Sequence, residues 1–148
     1  MTANDMQSVF AVLNLNLDDY FAPEVIGFFL AQWPEGQFVA ESITGQIVGA
    51  VCCSRLGGNR ASVALLAVDS SVRGRGAGGM LLSNVRRACV MQGIGTIQLE
   101  VRTTNTTALE FYKRRGFTVT EFLPSFYNDG GDGYRMTSPT YSGQVSPS

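Results

Sequence analysis

A glycine-rich turn between a strand and a helix is the feature that most constrains the fold of this chain. Residues 61–68 form a nearly unbroken apolar run, which is typical of a strand covered on both faces. The loop 73–78 reads RGRGAG, and after it apolar residues recur at helical spacing as far as Gly93. A helix that begins at such a loop directs backbone N–H groups and the positive end of its dipole at any bound anion. The sequence therefore indicates a phosphate cradle, with a turn that serves only tight packing as the alternative.

The composition of this loop narrows the choice of ligand. The loop lacks the Gly-Lys-Ser/Thr ending of a nucleoside-triphosphate loop, which argues against phosphoryl transfer. Its two arginines, Arg73 and Arg75, favour an anion over a purely structural turn. A pyrophosphate held by amide groups, without a lysine, fits both observations.

The other elements follow from hydrophobic spacing and from helix-breaking residues. Helices are predicted from the cap at Asn4 or Asp5, from Pro23, and after the cap at Asn105. The further predicted strands are 38–43, 46–54, 96–102, 117–123 and 134–136. This order predicts one α/β domain of the α+β type over residues 1–137, with a mixed, mostly antiparallel sheet flanked by helices. Residues 138–148, rich in Ser, Pro and Gly, are expected to be a disordered tail.

Charge and residue inventory exclude several classes of function. Eleven basic and twelve acidic residues give a net charge of -1, so we expect no nucleic-acid partner and no binding to an anionic membrane. The chain has no histidine and no Cys-x-x-Cys spacing, which excludes a histidine-based triad and a structural zinc site. Cys52 and Cys53 are adjacent on a predicted strand and point to opposite faces. With Cys89, they are expected to be small core residues rather than disulfides.

The N-terminus lacks the basic start, apolar run and cleavage site of a secretory signal. No stretch approaches the roughly 20 apolar residues that a membrane-spanning helix needs. We therefore expect a cytoplasmic protein.

Three segments together resemble the GNAT acetyltransferase superfamily. Residues 67–82, AVDSSVRGRGAGGMLL, are similar to its acetyl-CoA-binding segment, and residues 99–117, LEVRTTNTTALEFYKRRGF, to the second half of its fingerprint. Residues 120–136, TEFLPSFYNDGGDGYRM, resemble the ending of archaeal and eukaryotic N-terminal acetyltransferase catalytic subunits. The LEVR run also resembles the bacterial ribosomal-protein alanine acetylase, RimI. The resemblance implies a GNAT-like domain whose central strands splay apart, although the strand that usually precedes the first helix is truncated or absent here.

The resemblance implies acetyl-CoA as the cosubstrate, without a metal. Backbone groups at the end of the predicted strand 61–68 would hold pantetheine and polarise the thioester carbonyl. The glycine-rich loop 73–78 would hold the pyrophosphate. The cofactor-binding residues implied in this way are Leu66, Ala67, Val68, Arg73, Gly74, Arg75, Gly76, Ala77, Gly78, Asn105 and Tyr112. For Asn105, a helix cap alone is a sufficient explanation.

By the same resemblance, Glu100 is the general base, acting through a water, and Tyr112 protonates the departing sulfur. Glu100 alternates with the apolar residues of its strand and so lies on the opposite face, where a carboxylate must be paired, protonated or lining a cleft. The alternative for Glu100 is a structural ion pair with Arg102 or Arg135. For Tyr112 the alternative is a core tyrosine with a satisfied hydroxyl.

The resemblance places the acceptor between two loops. Asp18 and Asp19 would lie near the incoming amino terminus, and Tyr127 and Tyr134 would line the peptide entrance. Phe126 replaces the first tyrosine of the family's double tyrosine. The alternatives are a solvated acidic loop and aromatic residues that only cover the edge of the core.

These features predict direct acetyl transfer to the α-amino group of a protein or peptide N-terminus in a ternary complex. Two alternatives stay open: a GNAT enzyme that acetylates a lysine side chain or a small amine, and a CoA-binding module without catalysis. A ribosome or an auxiliary subunit is a possible partner.

Overall fold

The computed structural model describes residues 1–5, 7–9, 11, 23–72, 74 and 76–140. Residues 7–9 and 11 are helical, and the further helices are α1 (Pro23–Gln32), α2 (Ala77–Met91) and α3 (Thr106–Arg114). The strands are β1 (Phe38–Glu41), β2 (Ile47–Leu56), β3 (Arg60–Val68), β4 (Thr96–Arg102), β5 (Thr118–Leu123) and β6 (Gly133–Pro139).

The strands form one sheet in the order β1-β2-β3-β4-β6-β5. The pair β3 and β4 is parallel, because α2 carries the chain back to the end of the sheet where β3 begins. The other neighbouring pairs are antiparallel. The predicted mixed, mostly antiparallel sheet with flanking helices is therefore confirmed.

Helices cover the two faces of the sheet unequally. On the face that we call the α2 face, α2 and α3 enclose the larger core, which includes Leu81, Val85, Leu109, Ile97, Leu99, Val101 and Met136. On the opposite face, the α1 face, a smaller core joins α1 to β2 and β3 and includes Ile26, Phe29, Ala50, Cys52, Leu65 and Ala67. The apolar faces predicted for both helices thus meet the sheet from opposite sides.

Three strands end two or three residues away from the predicted position. β2 runs to Leu56, two residues beyond the predicted end. β1 ends at Glu41, because the N–H of Ser42 donates to the carbonyl of Gln46 at 2.8 Å and closes a turn that leaves Ile43 fully exposed. β6 runs to Pro139, so the first two residues of the predicted tail, 138 and 139, belong to the sheet. Thr140 is buried after it, with its hydroxyl donating to the carbonyl of Ile94 at 2.7 Å. Residues 141–148 lie outside the described part of the chain.

The cysteines are free thiols buried on both faces of the sheet. Cys52 belongs to the smaller core, and Cys53 and Cys89 to the larger one. The prediction of core thiols is confirmed. Separately, none of the helices in the described ranges combines the length and the apolar character needed to cross a bilayer.

Candidate active site

The sheet opens between its two central strands. Three residue pairs join β3 to β4: Arg60 with Thr96, Ala61 with Ile97, and Ser62 with Gln98. Both strands are fully described and continue well past these pairs, β3 to Val68 and β4 to Arg102. The strands therefore diverge beyond Ser62, and a gap opens between them toward the glycine-rich loop.

A β-bulge in β3 lies where this gap begins. Cys52 of β2 pairs with Leu65 and Cys53 pairs with Val63, so Ala64 is an extra residue on β3. The insertion reverses the alternation of side chains, because Val63 lies in the larger core and Leu65 in the smaller core on the opposite face. Bulges bend a strand and increase its twist, which accounts for the divergence of β3 from β4.

The three predicted pantetheine-binding residues follow this bulge. Leu66 and Val68 pack toward the larger core, and Ala67 is buried in the smaller one. All three pair with β2 on one side, and on the other side β4 has already turned away. Their backbone consequently runs along the gap.

The glycine-rich loop meets α2 at the mouth of the gap. Gly74 has a φ of +84° and Gly76 a φ of +85°, a left-handed conformation that favours glycine. Gly76 is the N-cap of α2, and no side chain in the described residues caps this helix. The first N–H groups of α2, beginning at Ala77, are thus left for an anion. Arg73 and Arg75 lie outside the described residues.

Helix α3 packs across the first turn of α2. A Cβ at Gly78 would lie 3.0 Å from Cζ of Phe111, so this approach depends on glycine. The guanidinium of Arg115 stacks on the Phe111 ring at 3.8 Å and lies beside Gly79. Asn105 caps α3 by accepting the N–H of Ala108 at 3.1 Å, so its structural role is present without any ligand.

Glu100 lies on the part of β4 that has left β3. Its side chain is on the α1 face and 19% exposed. Nε of Arg135, directly opposite on β6, donates to Glu100 Oε2 at 3.0 Å, and Arg135 Nη1 donates to Glu121 at 2.9 Å. The pairing with Glu100 raises the pKa of Arg135. Of the two arginines considered from the sequence, Arg135 is therefore the partner, and among described donors it engages Oε2 but not Oε1.

Tyr112 occupies the α2 face. Its ring packs edge-on against Phe111 and Phe117 beside the larger core. Within the described residues its hydroxyl has no hydrogen-bond partner, so the alternative of a satisfied core tyrosine receives no support from these contacts. Burial, with a smaller effect of the neighbouring Cys53 thiol, raises the pKa of Tyr112 and keeps the hydroxyl protonated.

Glu100 and Tyr112 are not in contact, because Glu100 lies on the α1 face of the sheet and Tyr112 belongs to α3, which packs on the α2 face. In an intact sheet the backbone of the strands would separate them. The gap between β3 and β4 removes that barrier beside Glu100. A substrate lodged in the gap could therefore meet a carboxylate from one face and a phenol from the other.

The predicted acceptor residues are only partly in the described chain. Tyr134 on β6 packs against Phe122, and Tyr127 stacks on Arg102 at the end of β4. Asp18 and Asp19 lie outside the described residues.

The surface formed by the described residues also has two clefts, the first of which borders the predicted pyrophosphate cradle at Gly76 and Ala77. One, of about 460 Å³, separates the β1–β2 turn from the first turn of α2 and is lined by Ile43, Gly76 and Met80 among others. Another, of about 440 Å³, is lined by Asp5, Glu41, Asp69 and their neighbours. Neither includes Glu100 or Tyr112, so we locate the site by the gap in the sheet beside Glu100.

The sequence matches the acetyltransferase (GNAT) family over residues 9–117. The chain belongs to the GNAT family. N-alpha-acetyltransferase 30 from Schizosaccharomyces pombe is 29% identical over 134 residues, which cover 88% of this chain and 89% of that protein. This GNAT chain is an acetyltransferase, and acetyl-CoA is its cosubstrate, as the sequence predicted.

Solved structures agree with this assignment. Ard1 from Thermoplasma volcanium has a TM-score of 0.88 at 31% identity, covering 94% of this chain and 93% of that one. A chain of the NatC complex bound to Gag peptide and CoA has a TM-score of 0.86 at 25% identity, covering 93% and 92%. The ribosomal-protein-S18-alanine N-acetyltransferase of Escherichia coli shares the fold, with a TM-score of 0.79 at 20% identity, covering 100% and 96%.

Several contacts at the site were not predicted. The bulge at Ala64 cannot be recognised in the apolar sequence of β3, because it depends on the register of β3 with β2. The pairing of Arg135 with Glu121 depends on β5 and β6 lying side by side. The ion pair between Arg102 and Asp129 could have been predicted. The two residues have opposite charges, and the glycines around Asp129 indicate that the loop backbone approaches a neighbouring group closely.

Proposed function

We propose that this GNAT enzyme acetylates the α-amino group at the N-terminus of proteins or peptides, by direct attack on the thioester. The observation that carries the mechanism is the gap, which lets Glu100 and Tyr112 act on one substrate from opposite faces. Similar proteins support the choice of an α-amino group as the acceptor. One of them is named an N-alpha-acetyltransferase, and another was crystallised in a complex with a peptide and CoA.

Glu100 acts as the general base in this proposal. An α-amine must lose a proton to become a nucleophile, and its pKa of about 8 leaves it largely protonated at neutral pH. With Oε2 held by Arg135, Oε1, which no donor in the described residues engages, accepts a proton from a water that deprotonates the incoming amine. The amine nitrogen then forms a bond to the thioester carbonyl carbon.

The backbone along the gap and Tyr112 complete the transfer. N–H groups of residues 66–68 stabilise the negative charge that develops on the carbonyl oxygen. As the carbon–sulfur bond breaks, the Tyr112 hydroxyl gives its proton to the leaving thiolate. The hydroxyl carries a proton at working pH, as a general acid must. Amide groups at the start of α2 hold the pyrophosphate, together with Arg73 and Arg75.

The acceptor enters between Tyr127 and Tyr134 on one side and the loop of Asp18 and Asp19 on the other. We further propose a cytoplasmic protein whose substrates are presented by a ribosome or an auxiliary subunit. Related chains occur in Nat complexes, which supports the possibility of a partner without identifying it.

The test is to incubate the protein with acetyl-CoA and a library of short peptides, and to locate the added acetyl group by mass spectrometry. We expect labelling of α-amines on a restricted set of first residues. Labelling confined to lysine side chains or small amines would identify a GNAT enzyme that acts on those amines. Binding of acetyl-CoA without transfer to any amine would identify a CoA-binding module without catalysis.

A variant pair tests the role of Glu100. Glu100→Gln should lower kcat by about a hundredfold at neutral pH while acetyl-CoA affinity stays nearly unchanged. Glu35→Gln, an exposed carboxylate on a short turn, is the matched control and should behave as the wild type. Equal turnover of wild type and Glu100→Gln would remove Glu100 from the mechanism.

A further inference from the structure

The loop between β5 and β6, residues 124–132, contacts the end of β4 through the side chain of Arg102 and through a backbone hydrogen bond from Thr103 N–H to the carbonyl of Asp132. Arg102 Nη1 lies 3.1 Å from each carboxylate oxygen of Asp129. The same guanidinium stacks on the Tyr127 ring, 4.1 Å from its centre. Arg102 therefore contacts the 124–132 loop through both a charge and an aromatic ring.

The loop backbone is shaped around this contact. Asp129 also accepts the N–H of Gly131 at 2.9 Å, and the N–H of Tyr127 donates to the carbonyl of Gly131 at 3.1 Å. A Cβ at Gly131 would lie 2.6 Å from Arg102 Nη1, so glycine allows the loop to approach the guanidinium. The Gly131 N–H and the Arg102 guanidinium hold the pKa of Asp129 below its usual value. Arg102 thus contacts the loop at Tyr127, at Asp129 and beside Gly131.

The position of Arg102 gives this contact a functional meaning. Arg102 is the last residue of β4 and lies at the open end of the gap, four residues beyond the last pairing of β4 with β3. Tyr127, which covers Arg102, consequently forms part of the rim through which an acceptor would pass. A rim residue that is held in place before binding costs the ligand less conformational entropy than one that must be ordered on binding.

We propose that Arg102 is a positioning residue for the acceptor peptide, which fixes Tyr127 at the rim of the gap through Asp129 and by stacking. The proposal rests on the proposed function, since it assumes that a peptide enters at this rim. Exposed ion pairs contribute little to global stability. Loss of Arg102 should therefore affect peptide binding much more than folding or acetyl-CoA binding.

The test compares steady-state kinetics with an acceptor peptide from the library. Arg102→Met should raise KM for the peptide about tenfold, equivalent to about 1.4 kcal/mol. KM for acetyl-CoA, kcat and the unfolding midpoint should remain close to the wild-type values. Arg102→Lys keeps the charge but loses the planar stack on Tyr127, and should give an intermediate rise of about threefold. Arg87→Met, an exposed arginine on α2, is the control and should change none of these quantities.

The same ion pair can be removed from the loop side. Asp129→Asn should raise the peptide KM, and Arg102→Met combined with Asp129→Asn should be no worse than Arg102→Met alone, because Arg102→Met already removes the ion pair that Asp129→Asn weakens. Additive effects of the two changes would overturn the proposal. An unchanged peptide KM in Arg102→Met would do the same, as would a parallel rise of both KM values with a lower unfolding midpoint.

The outcomes separate this proposal from the proposed function. If the wild type acetylates peptides and Arg102→Met does so with the same KM, only the positioning role is wrong. If the wild type acetylates no peptide N-terminus, both proposals are overturned.

Discussion

The two faces of the sheet differ in the side chains that they carry. On the α2 face, Tyr112 packs among aromatic rings beside the larger core, and burial keeps its hydroxyl protonated. On the α1 face, Glu100 is part of a polar row across four strands, which comprises Arg60, Gln98, Glu100, Arg135 and Glu121. The proposed acid thus lies on an apolar surface and the proposed base on a charged one.

This difference follows from how far each core extends across the sheet. The larger core reaches β4 and β6 through Leu99 and Met136. The smaller core, in the described residues, stops at β3. Ionised groups on β4 can therefore remain partly exposed and paired on the α1 face, whereas on the α2 face they would be buried at high cost. One strand can supply both a core and a charged site because its side chains alternate.

The largest effect should come from comparing neighbouring residues of β4 that point to opposite faces. Leu99 is 2% exposed in the larger core, and Leu99→Ala should lower the free energy of unfolding by about 2–5 kcal/mol. Gln98, on the α1 face, bonds to Arg60 at 3.1 Å, and Gln98→Ala should cost about 1 kcal/mol or less. Urea unfolding curves measure both values. Equal costs would mean that the two faces are equally well packed at β4.

A smaller effect is expected from removing the hydroxyl on the α2 face. Tyr112→Phe keeps the ring contacts with Phe111 and Phe117, so the fold should persist, while kcat should fall by about a hundredfold. Because burial raises the pKa of Tyr112, its titration should not limit the rate between pH 6 and pH 9, a range set by the usual tyrosine pKa of about 10. Retention of full activity would assign Tyr112 to the core alone.

The raised pKa of Tyr112 also predicts a pH dependence of stability. Above about pH 10 the unfolded chain releases this proton while the folded chain retains it. The stabilisation is thus complete below pH 10 and declines as pH rises further. Urea unfolding at pH 9 and pH 11 should show a smaller loss in Tyr112→Phe than in the wild type. An identical loss in both proteins would show that Tyr112 titrates normally.

The sequence predicted features of the site that depend on local rules. Alternation along β4 placed Glu100 on the face opposite Leu99, the asparagine at 105 indicated a cap, and the glycine-rich loop marked the start of α2. Each of these depends on residues close in the chain. The strand-loop-helix unit could therefore be predicted with no knowledge of the rest of the fold.

Features set by long-range register could not be predicted in this way. Arg102 and Arg135 were equally acceptable partners for Glu100 until the pairing of β4 with β6 placed Arg135 opposite it. The polar residues after Met136 indicated a tail, but Thr140 is buried because its hydroxyl and N–H bond to the backbone of Ile94 and Gly95. In both cases the partner lies more than thirty residues away in the chain.

The smallest effect is expected from alkylating the thiols on the two faces, which should leave the activity unchanged. Burial raises the pKa of Cys52 to about 12 and that of Cys89 to about 11, and raises that of Cys53 well above its usual value. Thiolates are the reactive species, so iodoacetamide at pH 8 should leave the native enzyme unmodified and fully active, while the unfolded chain reacts at all three cysteines.

Prolonged exposure should then reveal which face opens first. Cys52 lies in the smaller core on the α1 face, and local opening there breaks fewer contacts than on the α2 face, where Cys53 and Cys89 lie. Peptide mapping should therefore find Cys52 labelled before the other two. Labelling of Cys53 or Cys89 first would reverse the comparison between the faces. Rapid inactivation with one cysteine labelled would instead place a thiol at the site. The mechanism would then proceed through an acyl-enzyme and not by direct transfer.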